Sequence, residues 1–332
     1  MTHDNRPLLA LTCGDPAGIG PEIVAAALFD ERVRKVARLV VLGPEPCRPS
    51  MVPRLTQYGR DVLHSISDHA WFATEAPPGW RMGEVQASCG AAALSALALG
   101  AELAADGVVD GLVTGPVSKE ALHAAGEKVE GQTQLLGAWA GVTTEMLAVA
   151  GELRVLLLTR HRPLKDAVEA VTEDAVVTHL GVLDEGLRQL GFEAPRLALA
   201  GLNPHAGENG LLGQEEIEIL QPAVARARAA GIDVQGPLSP DTVFLSAARG
   251  AFDGVLALYH DQAFIPVKLH APDAGLTVLF GLPYLRVSPA HGTAFDIAGR
   301  GLAKPDNLIH ALRCAAGWAG ARGVAAGGEG IG

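Results

Sequence analysis

Residues 154–200 read RVLLLTRHRPLKDAVEAVTEDAVVTHLGVLDEGLRQLGFEAPRLALA, and this stretch decides the fold class. Arg154–Thr159 and Arg196–Ala200 are runs of strand length, apolar almost throughout. A strand covered on both faces needs no polar alternation, so such runs suit a sheet packed between helices. Between them, Val176, Val177, Leu180, Leu183, Leu187 and Leu190 fall on one helical stripe, which predicts a helix from Glu173 to Leu190 with Thr172 as its cap. Outside this unit the same alternation continues. Further strands are expected at Leu8–Thr12, Arg38–Leu42, Val108–Thr114, Met146–Ala150 and Gly254–Tyr259. A second helical pattern begins near Gln214 and meets Pro222, where a break and a new helix are expected. Together these predict an α/β fold with a largely parallel sheet. Pro44 to Pro53 reads as loop, and the tail AAGGEGIG from Ala325 is expected to fray.

The chain has 332 residues, 48% of them apolar. That is enough for two domains or one large one, and it excludes a disordered chain or a disulfide miniprotein. A formal charge of −11 argues against nucleic acid as partner. The four cysteines (Cys13, Cys47, Cys89, Cys314) include no CxxC pair, which fits reduced thiols in a cytoplasm. MTHDNRP at the start has no signal-peptide character. The most apolar window, Ala91 to Ala105, is interrupted by Ser95, Gly100 and Glu102, and reads as a buried helix too short to span a bilayer. The expectation is a soluble, cytoplasmic protein without a membrane or nucleic-acid partner.

Four features could carry chemistry. Gly14-Asp15-Pro16-Ala17-Gly18-Ile19-Gly20-Pro21-Glu22 follows the first strand. Its glycines allow close backbone approach to a ligand, although a plain strand-to-helix turn would look the same. His161, His205 and His260 each follow a predicted strand. If those strands are parallel, the imidazoles share the carboxyl edge of one sheet, where open α/β folds build sites. Three imidazoles with an open position suit a divalent metal, whereas each alone reads as an ordinary structural histidine. Lys268 and Arg286 sit among apolar residues, where a cation either snorkels or meets an anion. In an acidic chain the pair suggests a phosphate or carboxylate substrate. Finally, His291-Gly292-Thr293-Ala294-Phe295-Asp296 joins a flexible loop to a carboxylate able to accept from ribose hydroxyls, or to cap a helix.

These stretches together resemble the 4-hydroxythreonine-4-phosphate dehydrogenase family of vitamin B6 synthesis. The resemblance rests on GDPAGIGPE at 14–22, TGPVSKE at 114–120, LNPHAGE at 202–208, LYHDQ at 258–262 and HGTAFDIAG at 291–299. The first and last also look like the wider isocitrate and isopropylmalate dehydrogenase group. The resemblance implies two α/β/α domains with the active site in a cleft between them, near a homodimer interface. It places a discontinuous cofactor-side domain at residues 1–110 plus 266–332, and a metal, substrate and dimerisation domain at 111–265. It implies His161, His205 and His260 as ligands of one divalent ion (Zn, Mg, Co or Mn). Lys268, Arg286 and Thr133 match substrate-binding positions, and Gly14, Asp15, His291, Gly292 and Asp296 fall in the loops that would bind NAD or NADP. Asp261 and Asp241 are the candidate bases.

Two positions depart from the family pattern. Where the family reads roughly GHTE, this chain has Gly131-Gln132-Thr133-Gln134, and the family's substrate-contacting asparagine aligns with Thr277. Glutamine donates and accepts hydrogen bonds but cannot carry charge. The implied reaction is therefore metal-assisted, NAD(P)-linked oxidation of a small phosphorylated hydroxy acid, with loss of CO₂ from the ketone. For 4-hydroxythreonine 4-phosphate this yields 3-amino-2-oxopropyl phosphate. Erythronate or threonate 4-phosphate, or a dihydrodiol dicarboxylate, are the alternatives these departures open. From other classes, a phosphate acyltransferase would need no metal, and a non-catalytic metabolite-binding protein would form no NADH.

Overall fold

The structure, a computed structural model, describes residues 4–129, 131–271 and 274–327. In chain order the described strands are β1 (Leu8–Thr12), β2 (Arg38–Pro44), β3 (Arg54–Leu55), β4 (His69–Thr74), β5 (Gly111–Thr114), β6 (Glu145–Ala150), β7 (Leu153–Leu157), β8 (Leu197–Ala200), β9 (Val234–Leu238), β10 (Gly254–Ala257), β11 (Gly275–Phe280) and β12 (Arg286–Pro289). The chain divides into two compact units, Met1–Thr144 with Leu282–Gly332, and Glu145–Gly281. These seams fall further along the chain than residues 110 and 265.

In the first unit the strands run β3-β4-β2-β1-β5-β12, every neighbouring pair parallel. β1, β2 and β5 are buried at every residue, as their apolar runs require. Helix Ala87–Ala105 packs on them, beginning four residues earlier than the window read from sequence. That makes it long and apolar enough to cross a membrane, but more than half of it is buried inside the protein. Its Gly90 explains the packing: a Cβ there would lie 2.1 Å from the Ala121 carbonyl, so only glycine lets the next helix, Lys119–Ala124, approach so closely.

In the second unit the order is β11-β6-β7-β10-β8-β9. β7, β10, β8 and β9 are parallel, while β11 and β6 run antiparallel to their neighbours. The β6–β7 reversal follows from chain length. Only Gly151 and Glu152 connect them, too few for a parallel crossover, and Gly151 takes φ +57°. The core is a dense apolar set including Val155, Leu157, Ala198, Ala200, Val255 and Ala257, closed by Phe244 and Phe252. Helix Glu173–Gln189 buries Val176, Leu180, Leu183 and Leu187, and the Thr172 hydroxyl accepts from Ala175 N at 3.2 Å, a cap worth about 1 kcal/mol.

Two local expectations are corrected. Pro222 stands in the first turn of a helix, as expected, but no break precedes it. A single π-turn, Glu216–Leu220, runs directly into helix Gln221–Ala229, and the wider turn accommodates a residue with no N–H. The C-terminal helix Asp306–Gly327 takes in the first residues of the tail, whose remainder, 328–332, lies outside the described residues.

Candidate active site

β7, β10 and β8 are parallel neighbours, so the segments leaving their carboxyl ends emerge side by side. His161, His260 and His205 lie on those three segments. A buried hydrogen-bond chain ties the strand ends together. Thr159 Oγ1 donates to the Leu258 carbonyl at 2.8 Å, and Leu258 N donates to Gln262 Oε1 at 2.7 Å. Gln262 Nε2 then donates to the Gly201 carbonyl at 2.7 Å. Gln262 is therefore a brace between the strand that leads to His260 and the loop that leads to His205.

His260 opens helix His260–His270 and is half-buried. Its Nδ1 lies 2.8 Å from Asp261 Oδ1. With the proton on Nδ1, that contact leaves Nε2 as the free donor atom. The His260 ring stands 4.6 Å from the Phe264 ring one turn on, and 5.6 Å from the His161 ring. Two imidazoles binding one ion at about 2.0–2.1 Å would hold their centroids roughly 5 Å apart, so the His161–His260 spacing suits a shared ion. Lys268 lies a further turn along, its Nζ 5.8 Å from the Phe264 ring centre. It is exposed and forms no ion pair among the described residues.

His205 sits in an unusual backbone. His205, Ala206, Gly207, Glu208 and Asn209 all take positive φ, between 42° and 77°, which makes a full left-handed turn. Each non-glycine residue there costs roughly 1–2 kcal/mol. The His205 ring is exposed and near enough to Asp241 to act on its charge. Ser239 Oγ donates to Asp241 Oδ1 at 2.5 Å, and this bond first, with His205 adding to it, holds the Asp241 carboxyl below the usual range. Among the described residues no three His, Cys, Asp or Glu side chains are gathered around one point. The structure thus pairs His161 with His260 and brings His205 to the neighbouring strand end.

In the first unit, Arg286 is the first residue of β12 and only 3% exposed. Its Nη2 donates to Thr114 Oγ1 at 2.7 Å and to Gln132 Oε1 at 3.4 Å, and Gln132 Nε2 donates to the Gly115 carbonyl at 3.1 Å. Arg286 Nε has no protein partner, and no carboxylate pairs with this guanidinium among the described residues. Burial pushes its pKa down to about 10. A desolvated cation with no counter-charge is costly unless an anion completes it. Thr133 follows Gln132 on helix Gln132–Ala140, half-buried. Thr277 is half-buried on β11 of the other unit, which also carries Lys268.

The two glycine-bearing loops of the first unit are stitched together. Ile19 N donates to the Thr293 carbonyl at 3.0 Å, and Gly301 N to Glu22 Oε2 at 2.9 Å. Gly14 takes φ +77° with the Pro116 carbonyl 2.4 Å from where a Cβ would sit, so no other residue fits. Asp15 is turned inward. It is fully buried, its Oδ1 accepts from Ala17 N at 2.9 Å, and burial raises its pKa. Gly292 and Asp296 are exposed, while His291 keeps a buried Nε2 without a protein partner and an Nδ1 3.0 Å from the Gly292 carbonyl.

Residues 37–315 match the family described as pyridoxal phosphate biosynthetic protein PdxA. The chain belongs to the PdxA family. It is 38% identical to a 4-hydroxythreonine-4-phosphate dehydrogenase of Desulforapulum autotrophicum over 94% of this chain and 96% of the relative. It is 40% identical to a D-threonate 4-phosphate dehydrogenase of Cupriavidus necator over 93% of this chain and 96% of that one. The crystal structure of 4-hydroxythreonine-4-phosphate dehydrogenase from Klebsiella pneumoniae superposes with a TM-score of 0.83 at 36% identity, covering 94% of this chain and 99% of that one. Thr114 opens the motif at 114–120, whereas Thr159, Ser239 and Glu216 lie outside the motifs that carry the family resemblance. Only Glu216 left a trace, as an acid on the apolar stripe formed with Leu220, Ala223 and Ala227.

Proposed function

We propose that this PdxA-family chain is an NAD(P)-dependent dehydrogenase that oxidises the secondary alcohol of a small phosphorylated hydroxy acid, with loss of CO₂ from the resulting ketone. The observation that carries the reading is the placement of three imidazoles at three adjacent parallel strand ends, two of them 5.6 Å apart. His161 and His260 would hold a divalent ion, with His205 as third ligand. When bound, the ion supplies Lewis acidity at the substrate oxygen and the nicotinamide supplies the hydride acceptor. Asp261 orients the His260 ring. Asp241, kept ionised by Ser239, is the remaining acceptor for the hydroxyl proton. Arg286, with Thr114 and Gln132 beside it, binds an anionic group of the substrate, and Lys268 offers a second, more mobile cation. The loops at 14–22 and 291–299 form the nicotinamide-binding side.

A homodimer fits the same reading. Asp241, Tyr259, Asp261 and Gln262 line a cavity of about 590 Å³ in the second unit. Its mouth carries Leu245, Ile265 and Leu269, the last 78% exposed, and a second copy of the chain would cover them. Light scattering that returned the mass of a single chain would remove this part of the proposal.

A second substrate stands alongside 4-hydroxythreonine 4-phosphate, since a D-threonate 4-phosphate dehydrogenase is 40% identical to this chain. Both functions of the Gln132 amide are used, one by Arg286 and one by Gly115, and the residue brings no charge of its own. D-threonate 4-phosphate, with hydroxyl in place of ammonium, is that second candidate. The test supplies the purified protein with a divalent metal and NAD or NADP. Cofactor reduction is followed with 4-hydroxythreonine 4-phosphate, D-threonate 4-phosphate, D-erythronate 4-phosphate and a dihydrodiol dicarboxylate. Turnover of a phosphorylated substrate is expected, lost on chelation. Activity confined to the non-phosphorylated dicarboxylate would overturn the phosphate assignment, and binding without reduced cofactor would overturn the dehydrogenase. In the same panel Gln132→His should shift the ratio of kcat/KM between the two leading substrates at least tenfold. An unchanged ratio removes Gln132 as a specificity residue.

A further inference from the structure

The left-handed turn at 205–209 needs something to hold it, and the structure shows one group placed to do so. Glu216 is 1% exposed, in the π-turn that precedes helix Gln221–Ala229. Its Oε1 accepts from Leu202 N and from Asn203 N, both at 2.8 Å. Its Oε2 accepts from Asn203 Nδ2 at 2.8 Å. Asn203 Nδ2 also reaches Glu215 Oε2 at 2.7 Å. Glu216 Oε2 lies 2.7 Å from where a Cβ on Gly207 would stand, so the carboxylate fills the hollow of the turn and only glycine leaves it room. Three donors from the residues that enter the turn thus converge on one buried carboxylate, and no basic side chain pairs with it among the described residues.

The π-turn completes the device. One extra residue in a helical turn changes the direction in which its side chains leave, and such turns recur at functional sites. Here it lets Glu216 face the loop while Leu220, Ala223 and Ala227 keep the apolar stripe buried. Leu202 and Asn203 stand immediately before Pro204 and His205. Fixing their N–H groups therefore fixes where the strained turn begins and where the imidazole of His205 points.

We propose that Glu216 is the positioning residue of His205: its carboxylate, held by Leu202 N, Asn203 N and Asn203 Nδ2, sustains the left-handed turn that presents the imidazole. The consequence for metal binding rests on the reading of His205 as a ligand; the consequence for the turn does not. Glutamine at 216 keeps the volume but sets an NH₂ group against donors, so one of the three bonds is lost. In Glu216→Gln, amide hydrogen exchange over residues 202–209 should quicken at least tenfold, with helix Glu173–Gln189 unchanged. Zinc affinity, read by competition with a chromophoric chelator, should fall 10–100-fold, the usual effect of losing a group that orients a ligand. Asn203→Ala removes a single donor and should show the same changes to a smaller degree, which keeps the test open if the first variant folds poorly. Unchanged exchange over 202–209 in both variants would overturn the proposal. Quickened exchange with zinc affinity intact, in variants of a protein that loses zinc on His205→Ala, would overturn it as well. Quickened exchange with affinity intact even in His205→Ala would instead uphold the positioning of the turn and refute His205 as a metal ligand.

Discussion

Replacing Arg286 with methionine is expected to make the fold more stable and to remove nearly all catalytic efficiency. Both effects have one cause. The guanidinium is buried, is pushed down to about 10 by that burial, and among the described residues meets the neutral oxygens of Thr114 and Gln132 and no carboxylate. Two neutral hydrogen bonds do not offset the loss of water around a full charge, and a shift of this size corresponds to about 3 kcal/mol held against the charged state. Methionine fills similar space without that penalty. The fold should gain roughly 1–3 kcal/mol, read as a higher denaturant midpoint at unchanged m-value. The substrate would lose the cation that its anionic group completes. A desolvated, charge-assisted contact of this kind is worth about 2–5 kcal/mol, so kcat/KM should fall by a factor between roughly 30 and 5,000. An Arg286→Met protein that is less stable, or that keeps its KM, would show that Arg286 serves the fold and not the substrate.

That trade also marks what the sequence could and could not reveal. A cation flanked by Pro283, Tyr284, Leu285 and Val287 is visible in one dimension, but its two possible fates are not distinguishable there. The structure separates them: Arg286 is enclosed, while Lys268, in an equally apolar stretch, projects into solvent over Phe264. The strands that lead to the histidines were legible because they are buried on both faces and so are apolar apart from Arg154 in β7. β4, β9 and β12 were not, since they carry His69, a proline at 237 and Arg286, residues that local propensity assigns to loops or surface. The antiparallel β6–β7 pair was visible as two strands, and its direction follows from the two-residue connection Gly151-Glu152. The brace through Gln262 and the carboxylate of Glu216 depend on residues 61 and 13–14 positions away, and no local pattern encodes such a pairing.

Replacing His260 with alanine is expected to empty the metal site and stop turnover, and the series His161→Ala, His205→Ala and His260→Ala should rank the three ligands. A zinc site of three or four strong ligands is worth about 10–16 kcal/mol at neutral pH, so one imidazole supplies roughly 3–5 kcal/mol. Loss of His260 should therefore lower affinity roughly 10²–10³-fold or more, enough for dialysis to strip the ion, and metal analysis should then fall from near one ion per chain toward none. Turnover should fall with it, by roughly 10³-fold or more. His260 should be the most sensitive of the three. It stands 5.6 Å from His161, its ring is oriented by Asp261 at 2.8 Å, and its helix start is braced through Gln262. His205 hangs from a strained turn that alanine, which keeps a Cβ, leaves as it is, so its variant removes one ligand and water can take the vacant place. Lowered metal content with His161→Ala and His260→Ala but not His205→Ala would leave a two-histidine site and would require a further ligand, for which Asp241 and Asp261, lining the same cavity, are the candidates. Full metal content in all three variants would remove these histidines as ligands, and the ion would then have to be held by other side chains.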